Sequence, residues 1–345
     1  MDELHAHRKD EHVFITQKQY QADAQNGLNQ IRLLPNNLPE ISFSEVDYKT
    51  TLAGIEMKIP FFINAMSGGS KTTAQINQKL ATAAAKTGLA MATGSQSIAL
   101  RYPETAPGFK IVRKTLPHGL VIGNLGAGHG LHDAKNAIKM LKADILELHL
   151  NAAQEIVMSE GDRTFFWKDN IREIVGRLGR PVLIKEVGFG ISPTTLSKLK
   201  ELGVKYVDLS GRGGTNFAKI ENQRLHGEDF SVLNNFGLTT AETLIGSQFF
   251  QKDFSFTASG GIRNALDIVK CLVLGADNVG ISGLFLHTVI KKDVSGLISL
   301  INTLKHQVKA IMTILGCHDI TELRQTDYVL SVELENFKKQ LHKHE

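Results

Sequence analysis

Eight short apolar runs recur from Phe61 onward, separated by amphipathic helical patterns or polar loops. They occupy residues 61–67, 89–95, 120–126, 145–151, 182–188, 206–211, 254–261 and 278–282. Their starts lie roughly 25 to 30 residues apart, with longer gaps after the fourth and sixth, which is the pitch of parallel strand–helix–strand units. Eight such units close into a (β/α)8 barrel more naturally than they spread into an open sheet. The rival open sheet would show a G-x-G-x-x-G turn after its first strand. The glycine-rich GNLGAGHG at 123–130 lacks that spacing and follows the third run. Helical stripes fit between the runs: Ile76, Leu80, Ala83 and Ala84 end at Gly88, and Leu196, Leu199 and Leu202 end at Gly203. Residues 1–55 read as an N-terminal arm, a helix and a connecting segment of the same domain. Residues 56–345 read as the barrel, closed by a C-terminal helical tail after Ser282.

Composition narrows the class. The chain has 345 residues and is 42% apolar, enough for one large core, and its 31 glycines suit tight turns against a ligand. A net charge of +4 favours an anionic small molecule and is too dispersed for nucleic acid. Two cysteines, Cys271 and Cys317, make neither a disulfide framework nor a metal spacing. Cys271 lies in the apolar helix pattern IVKCLVLG, where a thiol is inert packing. The N-terminus lacks an apolar signal region, and no run reaches the ~18 apolar residues of a membrane span. A soluble cytoplasmic protein without membrane contact is expected.

Barrel active sites form at the C-terminal ends of the strands. Here all eight ends are polar, although buried parallel strands are ordinarily apolar. They carry Asn64 and Ser67; Ser95; Asn124; His149, Asn151, Gln154 and Glu155; Lys185; Ser210 and Thr215; Ser259 and Arg263; and Ser282. The last two turns, SGGIRN and GISG, place Gly260, Gly261 and Gly283 where backbone N–H groups and helix N-termini can hold a phosphate. Lys185, after an apolar stretch, must meet an anion, form a Schiff base, or pair with Glu186, which alternation turns away from the lumen. Glu155 could hold Mg2+ together with substrate phosphates. Arg8 and Lys9, beside His7 and His12, form a basic cluster in the arm. The segments 152–168 and 211–237 are long, polar loops of the kind that serve as lids.

The ordered motifs RKDEH, NAMSGGS, GSQS, GNLG, HLNAAQE, KEVGFG, DLSGRGGTNF, ASGGIR and GISG span about residues 8–285. Through them the chain resembles the type 2 isopentenyl-diphosphate isomerases, flavoenzymes that interconvert isopentenyl and dimethylallyl diphosphate. That resemblance implies an FMN-binding barrel, a requirement for Mg2+ and NADPH as reductant, and a homo-oligomer. Position by position, it assigns Ala65, Met66, Ser67, Ser95, Asn124, Lys185, Ser210 and Thr215 to FMN, and Gly261, Arg263, Ser282 and Gly283 to its phosphate. Arg8, Lys9, Ser97, His149, Asn151 and Gln154 fall to the substrate, and Glu155 to Mg2+. Ala65, Met66 and Ser97 come from the resemblance alone.

The chemistry agrees with the residue supply. An alkene is a poor base, so an ordinary side-chain acid has little driving force for the allylic proton shift. Reduced FMN is the expected acid/base, assisted by Gln154, with no net redox change. A 2-hydroxyacid oxidase would need a His base beside an Arg clamp late in the barrel, where SGGIRN and GISG have none. An inosinate-dehydrogenase-like enzyme would need a Cys on a top loop. A non-catalytic flavin-binding protein would not need the Arg8–Lys9 arm or the HLNAAQE cluster.

Overall fold

The computed structural model describes residues 3–66, 68–224 and 229–341. Eight strands close into a barrel in chain order. They are β1 (Phe61–Ile63), β2 (Met91–Ala92), β3 (Val121–Gly126), β4 (Ile145–Leu150), β5 (Val182–Glu186), β6 (Tyr206–Asp208), β7 (Ser255–Ser259) and β8 (Asn278–Ile281). Neighbours pair in parallel, and β8 returns to β1, which leaves the sheet without an edge. Each of the eight apolar runs supplies one strand, and every strand but β3 stops short of its run's end. β1 ends at Ile63 and β4 at Leu150, so Asn64 and Asn151 stand on the turns above.

The helices begin and end on local signals. Helix Lys71–Thr87 is capped by Ser70, whose Oγ accepts from the Thr73 N–H at 3.0 Å, and it stops at Gly88 with φ 77°. Its buried face is Ile76, Leu80, Ala83 and Ala84, the stripe read from sequence. The tail Gly283–Leu315 is two helices joined at Asp293, whose φ of 55° breaks the helical path. Beyond it the chain returns: Tyr328–Leu330 pairs antiparallel with Ile31–Leu33, tying the C-terminal segment to the N-terminal one.

The lower mouth of the barrel is plugged. Strands Thr50–Leu52 and Ile55–Met57 form a hairpin that turns through Ala53 and Gly54, both at positive φ. Leu52, Ala53 and Met57 pack with Phe62, Ala92, Ile122, Ile145 and Leu183 in one buried apolar cluster. Each such aliphatic side chain contributes about 1.5–3 kcal/mol by leaving water. A dry floor forces any polar ligand to the other end. The larger core lies between strands and helices and contains Cys271, whose thiol burial pushes well above its ordinary range. No helix of the described residues is long and apolar enough to cross a membrane.

Candidate active site

The register sets the site in rows. His149 of β4, Lys185 of β5 and Asp208 of β6 lie side by side, with Thr257 of β7 next to Asp208. One step lower, Asn124 pairs with Glu147. Because side chains alternate, both rows point into the barrel above the apolar plug.

Asp208 is fully buried and collects donors. Its carboxylate accepts from Asn64 Nδ2 at 2.7 Å, Ser259 Oγ at 2.6 Å and the Ser210 N–H at 3.2 Å, with Lys185 Nζ 3.3 Å away. Lys185 Nζ also donates to the Glu186 carbonyl at 2.8 Å. Burial pulls the Lys185 pKa down, but the charges of Asp208, Glu147 and Glu186 outweigh it and raise the pKa, so the lysine stays a cation. Its ion-pair partner is therefore Asp208. The Glu186 carboxylate turns to its own βα turn and accepts from the N–H groups of Gly188, Phe189 and Gly190 at 2.7, 2.5 and 3.2 Å. Burial pushes Glu186 up to about 7 against the bonds from Phe189 and Gly188 and the charge of Lys185.

Asn124 bridges the two rows, donating through Nδ2 to Glu147 Oε2 at 2.8 Å while Oδ1 lies 2.9 Å from His149 Nδ1. That arrangement puts the imidazole proton on Nδ1 and leaves Nε2 as an acceptor. Burial, then the charges of Lys185 and Lys9, pull the His149 pKa down to about 3, so the ring is neutral. Glu147 is pushed up to about 7, chiefly by burial, and its Oε1 has no hydrogen-bond partner among the described residues. Ser210 holds a left-handed backbone, φ 39°, directly above Asp208. Such strain in a non-glycine residue is a mark of functional turns.

Above these rows opens a cavity of about 790 Å³. Apart from Ser67, the residues assigned to cofactor, substrate and metal all border it: Arg8, Lys9, Ala65, Met66, Ser95, Ser97, Asn124, His149, Asn151, Gln154, Glu155, Lys185, Ser210, Thr215, Gly261, Arg263, Ser282 and Gly283. Ser67 lies outside the described residues. The SGGIRN and GISG turns bring no histidine to the cavity; His287, the next histidine along the chain, stacks on Tyr20 with ring centroids 4.0 Å apart.

The cavity has two differently built ends. At one, the turns after β7 and β8 approach the 211–215 loop so closely that a Cβ on Gly214 would lie 2.6 Å from the Gly261 nitrogen. Asn26 pins this end by donating to the Gly261 carbonyl at 2.8 Å. Arg263 lies 4.8 Å from the Tyr20 ring centroid and donates through Nε to the Gln21 carbonyl at 3.0 Å. The size, the glycine turns and the fixed Lys185 cation fit an elongated, phosphate-bearing cofactor such as FMN.

At the other end, the arm helix Glu3–Lys18 lies over its own barrel. Arg8 Nη1 meets Glu160 Oε1 at 2.9 Å, and Arg224 Nε meets Glu11 Oε2 at 2.9 Å. Glu221, buried, accepts from Gln154 Nε2 at 2.9 Å and Arg224 Nη1 at 2.6 Å, and lies 2.9 Å from His12 Nε2. The two segments read as loops carry helices here, Ala152–Val157 and Phe217–Arg224, and these bring Gln154 and Glu221 together. Glu155 Oε1 accepts from Asn151 Nδ2 at 2.7 Å and Oε2 from the Asp162 N–H at 2.8 Å. Among the described residues no group of three His, Cys, Asp or Glu could cage a metal. One carboxylate suits Mg2+ that brings phosphate oxygens and waters for its remaining positions.

The profile of the FMN-dependent dehydrogenase family matches residues 124–330. Over 339 residues the chain is 45% identical to an isopentenyl-diphosphate delta-isomerase of Latilactobacillus sakei, covering 98% of this chain and 97% of that one. The chain belongs to the isopentenyl-diphosphate delta-isomerase family. Another member of that isomerase family, from Staphylococcus saprophyticus, is 43% identical, with 98% of each chain covered. Solved structures of flavocytochrome b2 (TM-score 0.67, 19% identity, 97% of this chain and 81% of that one) and of a mandelate oxidase variant (0.64, 14%, 93% and 91%) share the barrel fold.

For an isopentenyl-diphosphate delta-isomerase the site holds several side chains that sequence reading passed over. Glu147 and Asp208 share strand parity with His149 and Ser210, a signal present in ILELHL and YVDLSG. Glu221 and Asn26 have no comparable local signal.

Proposed function

We propose that the protein interconverts isopentenyl and dimethylallyl diphosphate by an allylic 1,3-proton shift at this cavity. The single observation that carries the reading is the convergence of the flavin-type and diphosphate-type residues on one cavity, in a chain of this family. When bound, reduced FMN supplies a proton donor and acceptor at N5 and an electron-rich face. Lys185 and Ser210 with Thr215 would hold and orient the flavin, and Gly261, Arg263, Ser282 and Gly283 its phosphate. Ala65, Met66, Ser95 and Asn124 would line it. NADPH would serve as the reductant.

Arg8, Lys9, Ser97 and Asn151 would anchor the diphosphate, with Mg2+ on Glu155; His149 would join them once the charge of the anion draws a proton onto its Nε2. That remote binding holds the hydrocarbon tail against the flavin and spends its energy on orientation. Gln154 would assist proton movement, because Glu221 accepts its N–H and so fixes which end of the amide is donor and which acceptor. The arm helix, laid across the mouth, would exclude water from the reacting carbons. We assign the protein to the cytoplasm and expect a homo-oligomer.

Turnover of isopentenyl diphosphate should be measured with FMN, NADPH and Mg2+, with and without prior reduction. Activity only in the reduced, flavin-loaded protein is expected. Full activity without flavin overturns the mechanism, and tight flavin binding with no turnover makes the protein a non-catalytic flavin binder.

A further inference from the structure

The turn after β3 contains His129, which no step above uses, although it borders the cavity. Its ring joins two side chains. Nδ1 lies 2.7 Å from Asp133 Oδ2, and Nε2 lies 2.8 Å from Ser97 Oγ. Ser97 Oγ is in turn 2.8 Å from Ser95 Oγ. Asp133 stands in the first turn of helix Leu131–Leu141, where the helix dipole favours a carboxylate. Gln96, between the two serines, is buried in the wall: Nε2 donates to the Ala137 carbonyl at 3.0 Å and Oε1 accepts from the Asn124 N–H at 3.1 Å. That anchor turns Ser95 and Ser97 to the cavity.

The order of hydrogen bonds has a chemical consequence. A carboxylate only accepts, so Nδ1 carries a proton. With the ring neutral, Nε2 accepts the Ser97 proton, and the hydroxyl offers the cavity only lone pairs. A phosphate oxygen needs a donor instead. Ser97 becomes one when Nε2 also carries hydrogen, taken from solvent, and donates to Ser97 Oγ. Asp133 holds Nδ1–H and orients the ring as the third member of a triad does. The charged and titratable groups that border the same cavity are Arg8, Lys9 and His12 of the arm, Arg101 and Tyr102, His149 of β4, Glu155, Glu160 and Asp162 beyond it, Lys185 of β5 and Arg263; of these, His149 interacts electrostatically with His129.

We infer that His129, held by Asp133, is a positioning residue for the diphosphate subsite, turning the Ser97 hydroxyl so that its proton points to the substrate. This rests on the reading that Ser97 contacts the diphosphate. The relay contributes affinity, while the proton shift occurs at the far end of the substrate.

The test is steady-state kinetics with isopentenyl diphosphate on the reduced, FMN-loaded, Mg2+-supplied enzyme. His129→Ala is expected to raise KM about tenfold, the loss of one charge-assisted hydrogen bond, with kcat within about twofold. His129→Gln, whose amide can donate to Ser97, should restore KM to within about threefold of the parent. In Ser97→Ala the added His129→Ala change should raise KM no further, because the two act as one unit. His129→Asn, too short to reach Ser97, reads the same outcome should the alanine variant fold poorly. An unchanged KM in the His129 variants, with KM raised in Ser97→Ala, overturns the relay and leaves Ser97 as a substrate contact. A His129 effect of equal size with and without the Ser97 hydroxyl also overturns it. An unchanged KM in Ser97→Ala overturns the reading beneath it.

Discussion

Gln154 donates its amide N–H to the buried carboxylate of Glu221 at 2.9 Å, across 67 residues of sequence. This bond decides what Gln154 can offer chemically, because a carboxylate fixes which end of the amide faces it. Glu221→Gln lets the Gln154 amide turn over and removes a charge from His12 and Arg224. kcat should fall on the order of tenfold to a hundredfold, the usual weight of a positioned proton-transfer group. FMN affinity, read by fluorescence titration, should stay the same. A kcat equal to the parent's would remove Gln154 from the proton path.

Glu186 makes a second prediction, about the loop that approaches the cofactor end. Its carboxylate gathers the N–H groups of Gly188, Phe189 and Gly190. Glu186→Ala orphans three partly buried donors, and each unsatisfied group costs about 1–3 kcal/mol. The expected result is a fall in thermal midpoint together with weaker FMN binding, since the same loop adjoins Lys185. A variant with the parent's melting curve would show that water replaces the carboxylate at no cost.

Much of this arrangement was legible beforehand, and the reason is periodicity. The eight strands were readable because a buried parallel strand is a continuous apolar run and a barrel repeats it at a steady pitch. The rim was readable because polar residues at the ends of such runs contradict that rule. The same alternation that singles out His149 also marks Glu147, and that of Ser210 marks Asp208, yet both carboxylates lie within the apolar runs and not at their ends. Glu221 and Asn26 work through partners 67 and 235 residues away, and no local pattern encodes such contacts. The pairing of Ile31–Leu33 with Tyr328–Leu330 was invisible for the same reason, each strand having only three residues. Met66 reads as core by composition, and only the family resemblance set it beside a flavin.

Glu155 bears on the metal. Both of its oxygens already accept hydrogen bonds from Asn151 and the Asp162 backbone, and the described residues form no group of three His, Cys, Asp or Glu that could hold a metal there. Mg2+ should therefore bind weakly to the free enzyme and tightly only with a diphosphate present. Equilibrium dialysis with and without isopentenyl diphosphate measures this directly. Glu155→Gln should shift the Mg2+ dependence of turnover to much higher concentration. An unchanged Mg2+ titration would remove Glu155 as the ligand.

Lys9 supplies the pH dependence. Burial, then the neighbouring charge of Arg8, lowers its pKa to about 8. Burial thus disfavours the charged form relative to the unfolded chain, although the amine is still mostly protonated below pH 8. Docking of the arm is strongest above the unfolded lysine value of about 10.4 and weakens as pH falls toward 8. An anionic diphosphate reverses this sign, because it attracts the protonated amine. Phosphate groups with a second pKa near 6 are already ionised above pH 8 and add no titration of their own there. KM for isopentenyl diphosphate should accordingly be flat from about pH 7 to 8. Above that it should rise, approaching tenfold per pH unit as Lys9 loses its proton. Lys9→Arg, a cation that does not deprotonate, should give a higher KM at pH 7 through altered geometry but no rise up to pH 10. A parent KM that stays level through pH 10 would place the diphosphate away from Lys9, and a Lys9→Arg variant that keeps the rise would assign it to another group.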